Sequence, residues 1–398
     1  MTRSVIVAGA RTPIGKFRGS LAGFSAMDLG GIAIAEALAR AGVAPERVDY
    51  VIMGHVLQAG QGQITARQAA IAGGVPKEVP AITINKVCLS GMSAVAMADQ
   101  MIRAGEIDIA VAGGMESMTS APYVLPKARE GSRLGDAELV DSMIHDGLWS
   151  TFTERHMGEG TDEVSAGLGI TREDQDAWAA RSHARAHAAW ESGALTDEVV
   201  PVEVPRRAGE AARFDRDEGI RPDTSVEVLA GLRPAFRADG TVTAGNASQI
   251  SDGAAAVLVA SQEAAAELGL APIAEIVAYG MSADRYESLQ TVPALALERA
   301  LKRAGMTAGN LDVVEINEAF AAVPLHSSRM LGLDEARVNV NGGAVALGHP
   351  IGSSGTRIVL TLAYELRRRG ADLGAAAICG GGGQGDALIV RRLGDAPA

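Results

Sequence analysis

The sequence predicts an α/β protein built from two duplicated halves, the first interrupted by a long insertion. Three observations carry that expectation: an internal repeat, an alternation of short apolar runs with helical periodicity, and a change of composition between residues 120 and 244. Residues 37–42 (ALARAG) and 48–51 (VDYV) return as 300–305 (ALKRAG) and 311–314 (LDVV), an offset of 263. Ser90 and Gly91 return as Ser354 and Gly355, an offset of 264, and 107–114 (IDIAVAGG) returns as 373–381 (LGAAAICGG) at 266 to 267. Three matches in one order at almost one offset imply two homologous halves of about 120 residues each.

Taken in order, the apolar runs 5–7, 51–53, 82–84 and 107–111 read as strands, and the periodic segments 29–41 and 88–103 as helices, of a sheet covered on both faces. The second copy supplies strands at 273–277 and 313–316 and helices at 294–304 and 352–369. Charged and turn residues dominate the insertion. Its one clear helix, 172–191, is begun by Thr171 as N-cap with Asp174 at the capping-box position. Insertions on the end of such a sheet usually shape ligand sites; for the first third of this one, a surface excursion that serves only oligomer contacts is the competing reading. The expected division is therefore 1–119 with 245–270 as the first half, 120–244 as an inserted loop domain, and 271–398 as the second half.

Composition narrows the function. With 47% hydrophobic and 21% charged residues in 398, the chain can bury a large core, which excludes disorder. Two cysteines cannot make a disulfide scaffold, so a reducing compartment is expected. A net charge of −12 offers no general attraction for nucleic acid or an anionic membrane, so any phosphate-bearing ligand must be met by local groups. No apolar run approaches the roughly 20 residues of a membrane span. Residues 1–10 are too short for a secretory core, and residues 395–398 are no peroxisomal address. A cytoplasmic protein is expected.

Few residues could do chemistry. Cys88 lies in 85–91 (NKVCLSG), between a strand and a helix start, where unpaired N–H groups and the dipole would lower its pKa and make a nucleophile. The plain alternative is a small buried hydrophobe. Cys379 lies in 377–385 (AICGGGGQG), where glycines admit close backbone approach; a disulfide with Cys88 is the competing reading. His349, in 348–355 (GHPIGSSG), opens the helix that repeats the one after Cys88, so the two helix starts can face each other and pair a thiol with a base. Asn317, in 317–320 (NEAF), follows a strand and could donate to an oxyanion or serve only as a helix N-cap. Gly380, Gly382 and Gly385 have dinucleotide-binding spacing, but 386–391 reads as a strand, so a nicotinamide enzyme is disfavoured.

Cys88 within CLSG, Asn317 within NEAFAA, residues 339–355 (NVNGGAVALGHPIGSSG) and Cys379 within CGGGGQG resemble the catalytic blocks of the thiolase family. Residues 5–15 (VIVAGARTPIG), 113–118 (GGMESM), 156–158 (HMG), 232–236 (LRPAF) and 241–252 (TVTAGNASQISD) extend the resemblance over nearly the whole chain. It implies a five-layered αβαβα core of two halves with an inserted loop domain. It also implies an acyltransferase that condenses two acetyl-CoA to acetoacetyl-CoA plus CoA, and runs the reverse thiolysis, through an acyl-Cys88 intermediate.

By the same resemblance His349 is the base, Cys379 moves the α-proton, and Asn317 holds a water on the enolate. Cys88 and Gly381 N–H groups would form an oxyanion hole. His156, Met157, Arg221, Ala247, Ser248, Ala319 and Phe320 would line the coenzyme A groove; Val228 stands where many relatives carry a Ser. No tightly bound cofactor or metal is implied, only coenzyme A thioesters as substrates, with a homodimer or homotetramer as the assembly. A broader-chain 3-ketoacyl-CoA thiolase of fatty acid breakdown is the alternative, because Gln384 and Leu89 look like that branch. A ligand-binding or redox-switch module using the two cysteines is the rival from another class.

Overall fold

The computed structural model describes residues 2–131, 134–206 and 209–394, so residues 395–398, inspected above for a targeting signal, lie outside the described residues. In the first half the strands are β1 (Ser4–Arg11), β2 (Tyr50–Gly54), β3 (Ala81–Ile84), β4 (Ile109–Ser117) and β5 (Ser251–Ser261). In the second they are β6 (Ala274–Ala283), β7 (Val313–Ile316), β8 (Leu373–Gly380) and β9 (Gln384–Arg392). They form one continuous sheet in the order β7-β8-β9-β6-β1-β5-β4-β2-β3.

The order is a palindrome of the duplication. Around β1 the neighbours run antiparallel β5, antiparallel β4, parallel β2 and parallel β3; around β6 they run antiparallel β9, antiparallel β8 and parallel β7, with Val338 bridging Val314 in parallel where a fifth strand would lie. The copies meet where β1 and β6 pair antiparallel, Val5 opposite Glu275 and Ile6 opposite Ala274. Each copy also carries the same defect, a register shift that skips Val7 in β1 and Val277 in β6. A bulge adds local twist and is kept when a strand must bend, so its duplication marks a shared ancestral strand.

Helices complete five layers. The outer ones are α1 (Ala26–Ala41), packed on β1, β5 and β4, and its counterpart α4 (Val292–Ala304), packed on β6, β9 and β8. The central layer is α2 (Ser90–Ala104) against α5 (Ser354–Arg369), numbered with α3 (Arg172–Glu191) of the insertion between α2 and α4. All nine residues of β4 and all eleven of β5 are buried, as expected of strands covered on both faces. The capping box of α3 forms as expected, Thr171 Oγ1 accepting from Asp174 N at 3.1 Å.

The two central helices cross at the repeat-related glycines. Thr356 Oγ1 donates to the carbonyl of Gly91 at 2.9 Å. A Cβ on Gly91 would lie 2.7 Å from that same hydroxyl, and one on Gly355 would fall onto the backbone N of Met92. Only side-chain-free positions permit this approach, and it places the segments before α2 and before α5 next to each other.

The insertion is tied to the sheet by Arg11 at the end of β1. Its guanidinium is buried, forks onto Asp217 at 2.7 and 2.9 Å, and also donates to Glu198. Trp190 Nε1 adds a donor to Asp217 at 3.1 Å. No helix among the described residues is long and apolar enough to cross a membrane.

The crossing generates a test. Gly355→Ala is expected to destabilise the fold by about 1–3 kcal/mol through overpacking and to depress turnover with it, measured by denaturant titration and initial rates. A variant with the parent midpoint and rate would contradict the close approach.

Candidate active site

Between β3 and α2 the chain makes a strained turn. Val87 sits at φ +52°, a left-handed conformation that a β-branched residue adopts only when its surroundings impose it. Those surroundings are specific. Ser90 Oγ accepts from Lys86 N at 2.8 Å and donates to Val87 O at 2.6 Å, and Asn85 Oδ1 accepts from Val87 N at 3.1 Å. Lys86 Nζ reaches Asp386 Oδ1 on β9 at 2.8 Å, and Ser93 Oγ donates to the other oxygen at 2.9 Å, so the turn is strapped to the opposite half.

Cys88 follows that turn, 4% exposed. Burial pushes its thiol up to about 12; backbone hydrogen bonding from Cys88 itself and from Gly381 pulls the other way, while the Glu116 carboxylate adds to the rise. The expected lowering by a helix terminus is therefore overturned. The helix begins at Ser90, two residues later, and desolvation of an ion outweighs two backbone dipoles.

Cys379, on β8, is also buried, and burial together with the neighbouring Cys88 raises its pKa. Both cysteines are free thiols. Gly382 and Gly383, at φ +78° and +67°, make the tight turn into β9, so the glycine cluster is a hairpin and not the entrance to a nucleotide-binding helix.

His349 is 6% exposed. Its Nδ1 lies 2.6 Å from Ser354 Oγ, and that hydroxyl donates its single proton to Pro350 O at 2.9 Å. Nδ1 must then carry the hydrogen, which leaves Nε2 as a bare lone pair; Nε2 has no hydrogen-bond partner. Burial and then the positive charge of Arg357 push the imidazole down to about 3, so it is neutral at physiological pH.

Asn317 leaves β7 with its N–H on Ala377 O at 3.0 Å, and its Nδ2 sits 3.4 Å from His349 Nδ1. The N-cap reading of Asn317 fails, because the next helix spans Ala322–Leu331 and Ala321 stands at its cap.

A cavity of about 540 Å³ opens beside the turn, with Val87, His156, Met157, Tyr286, Gly381 and Gln384 in its walls. The other residues expected to meet coenzyme A form a separate wall. Ala247 bridges Phe320, Ser248 N donates to Ala319 O at 3.1 Å, and Phe236 connects them to the cavity, 6.4 Å from the Phe320 ring and 6.1 Å from the His156 ring. Arg221 stands apart. Its side chain is exposed, and its N–H donates to His183 Nδ1 at 3.1 Å. Val228 is also exposed.

Sequence reading missed the buried carboxylates behind the site. Glu318, fully buried, accepts from Trp178 Nε1 (2.8 Å), Asn339 Nδ2 (2.9 Å), Ser182 Oγ (2.7 Å) and Val345 N (3.0 Å), joining the insertion to the strand end that carries Asn317. Glu116 accepts from the N–H groups of Val56, Leu57 and Gly352 and lies 3.2 Å from His55 Nε2, joining β4 to the loop after His349. A charged residue inside an apolar run was the available signal. Glu318→Gln is expected to cost about 1–3 kcal/mol, because an amide NH₂ would face donors that need an acceptor; an unchanged thermal midpoint would contradict the four-donor cradle.

Comparison with known proteins agrees with this geometry. The thiolase N-terminal domain matches residues 4–263 and the thiolase C-terminal domain residues 270–392. A probable acetyl-CoA acetyltransferase of Mycolicibacterium smegmatis is 58% identical, covering 98% of this chain and all of that protein. The acetyl-CoA acetyltransferases of Cupriavidus necator and Pseudomonas aeruginosa are each 52% identical, over 98% of this chain and 100% and 99% of their own lengths. With both domains matched in order around a duplicated sheet, a pair of buried thiols and a neutral histidine, the chain belongs to the thiolase family.

Proposed function

We propose that this protein is an acetyl-CoA C-acetyltransferase working by a ping-pong mechanism through an acetyl thioester on Cys88. What supports the reading is that backbone hydrogen bonding from both halves, Cys88 in the first and Gly381 in the second, bears on one thiol, and that Cys88 in turn raises the pKa of Cys379. In this reading those N–H groups receive the oxygen that becomes negative when a thioester carbonyl is attacked at Cys88. Removing one such donor typically costs about 3–4 kcal/mol of transition-state stabilisation.

The resting charges set the order of proton movements. A thiol raised to about 12 beside an imidazole lowered to about 3 is a neutral pair, so sulfur loses its proton to His349 Nε2 only as it attacks. The first acetyl-CoA gives its acetyl group to Cys88, and the same proton leaves on the departing coenzyme A sulfur. For condensation, Cys379 passes its proton to His349 and takes one from the methyl of the second acetyl-CoA. The resulting carbanion attacks the acetyl thioester, and Cys88, leaving as thiolate, recovers the proton held by His349. Each group then returns to its starting state, and thiolysis is the same path reversed.

Asn317 has a defined part in this reading. Because His349 Nδ1 already bears hydrogen, the Asn317 NH₂ has no acceptor on the ring and is available to a water or to the enolate oxygen. His156, Met157, Ala247, Ser248, Ala319 and Phe320 would flank the pantetheine arm, with Arg221 meeting phosphate farther out. The acetyl preference rests on His156-Met157-Gly158, and a broader-chain 3-ketoacyl-CoA thiolase is the second reading. Cytoplasmic assembly as a homodimer or homotetramer completes the proposal.

Incubation with acetyl-CoA followed by peptide mass mapping should find acetyl on Cys88 in the parent and in Cys379→Ser, and none in Cys88→Ser. Condensation by Cys379→Ser should fall about 10²- to 10⁴-fold, the usual worth of a positioned acid or base. Full condensation without Cys379, or an unmodified Cys88, would refute the assignment. Across a ladder of 3-ketoacyl-CoA lengths, kcat/KM should peak at the four-carbon substrate; a flat or rising profile would favour the broader enzyme.

A further inference from the structure

Asn317 and Glu315 lie two residues apart where β7 ends, so their side chains leave the same face. Ser354 and Arg357 lie three apart at the start of α5 and share a helix face. These two faces meet. Ser354 takes His349 Nδ1, while Arg357, 2% exposed, extends Nη2 to Asn317 Oδ1 at 3.4 Å and Nη1 to Glu315 Oε2 at 3.6 Å. An arginine buried this deeply beside a reacting centre is costly unless it serves a purpose there.

We propose that Arg357 is a positioning residue of the reaction: its guanidinium decides which end of the Asn317 amide faces His349. A guanidinium has only donors, so the amide oxygen must turn toward it and the NH₂ must turn away, toward His349 and the enolate position. Without Arg357 the His349 Nδ1–H would draw the amide oxygen toward itself, and a flipped Asn317 would present an acceptor where a donor is required. The same cation also bears on the imidazole, whose pKa it lowers after burial has done so. The charges facing Arg357 are Glu315, Glu198, Glu318 and Arg11, and those facing Glu315 include Glu318, Glu198 and Glu365. Both Glu315 oxygens lack hydrogen bonds, and the cations that bear on it are Arg357 and Arg185.

This inference rests on the thiolase mechanism proposed above, and the test separates the two. Parent enzyme, Arg357→Lys and the charge-free pair Arg357→Met with Glu315→Gln are compared for acetoacetyl-CoA thiolysis across pH. The double variant should keep its fold, since both members of a buried pair are removed together, and keep its KM. Its kcat should fall about 10- to 100-fold, the scale of a misplaced group, and its acid limb should move up in pH, while burial, the larger cause, still holds it below the ordinary imidazole value of about 6.5. Arg357→Lys, which keeps charge but loses the planar fork, should lose kcat with the acid limb unmoved. Parent-like kcat in either variant would overturn the proposal. Should the double variant fail to fold, Arg357→Lys decides alone. A parent enzyme without thiolysis would instead sink the underlying mechanism.

Discussion

The approach of α2 to α5 at Gly91 and Gly355 is the constraint on which the rest depends. Each glycine begins the same helix in its own copy, and each is so close to the other helix that one added carbon would strike backbone or the Thr356 hydroxyl. Helices that close bring their preceding loops together. One loop carries Cys88 on a strained turn, the other carries His349, and the strands beside them end in Asn317 and Cys379. Duplication thus brings Asn317 of one strand end to His349, and sets Cys379 where Cys88 raises its pKa.

Burial then decides the chemistry. The two sulfurs and the imidazole are withdrawn from water, and desolvation dominates each of them, raising the thiols and lowering the histidine. The consequence is a site without resting charge on its reacting atoms, while the buried guanidinium of Arg357 stands one step back. Fixed donors and distant charges already oriented toward the reaction need no reorganisation when an oxyanion forms. Strain at Val87 is held by the same arrangement, since Lys86 and Ser93 anchor it to Asp386 in the other half.

Much of this was legible in the sequence. The 263 to 267 offset revealed the two halves and correctly related Ser90-Gly91 to Ser354-Gly355, and glycine-rich strand ends pointed to Cys379 and His349. What stayed hidden depends on three dimensions. The matched bulges at Val7 and Val277 leave no mark in an apolar run. Glu315, in a strand otherwise valine and isoleucine, and Arg357, within an apolar helix face, were visible oddities whose partnership only the crossing of β7 and α5 explains. The thiol expectation failed because position relative to a helix can be read from sequence, whereas depth below the surface cannot.

If the sulfurs of Cys88 and Cys379 share one pocket, a short bifunctional thiol reagent will bridge them, and the chain holds no other cysteine to compete. A single cross-linked product joining the peptide of Cys88 to that of Cys379 is expected, and prior treatment with acetyl-CoA should block it. Two independent single adducts, with no bridge at any reagent concentration, would contradict it.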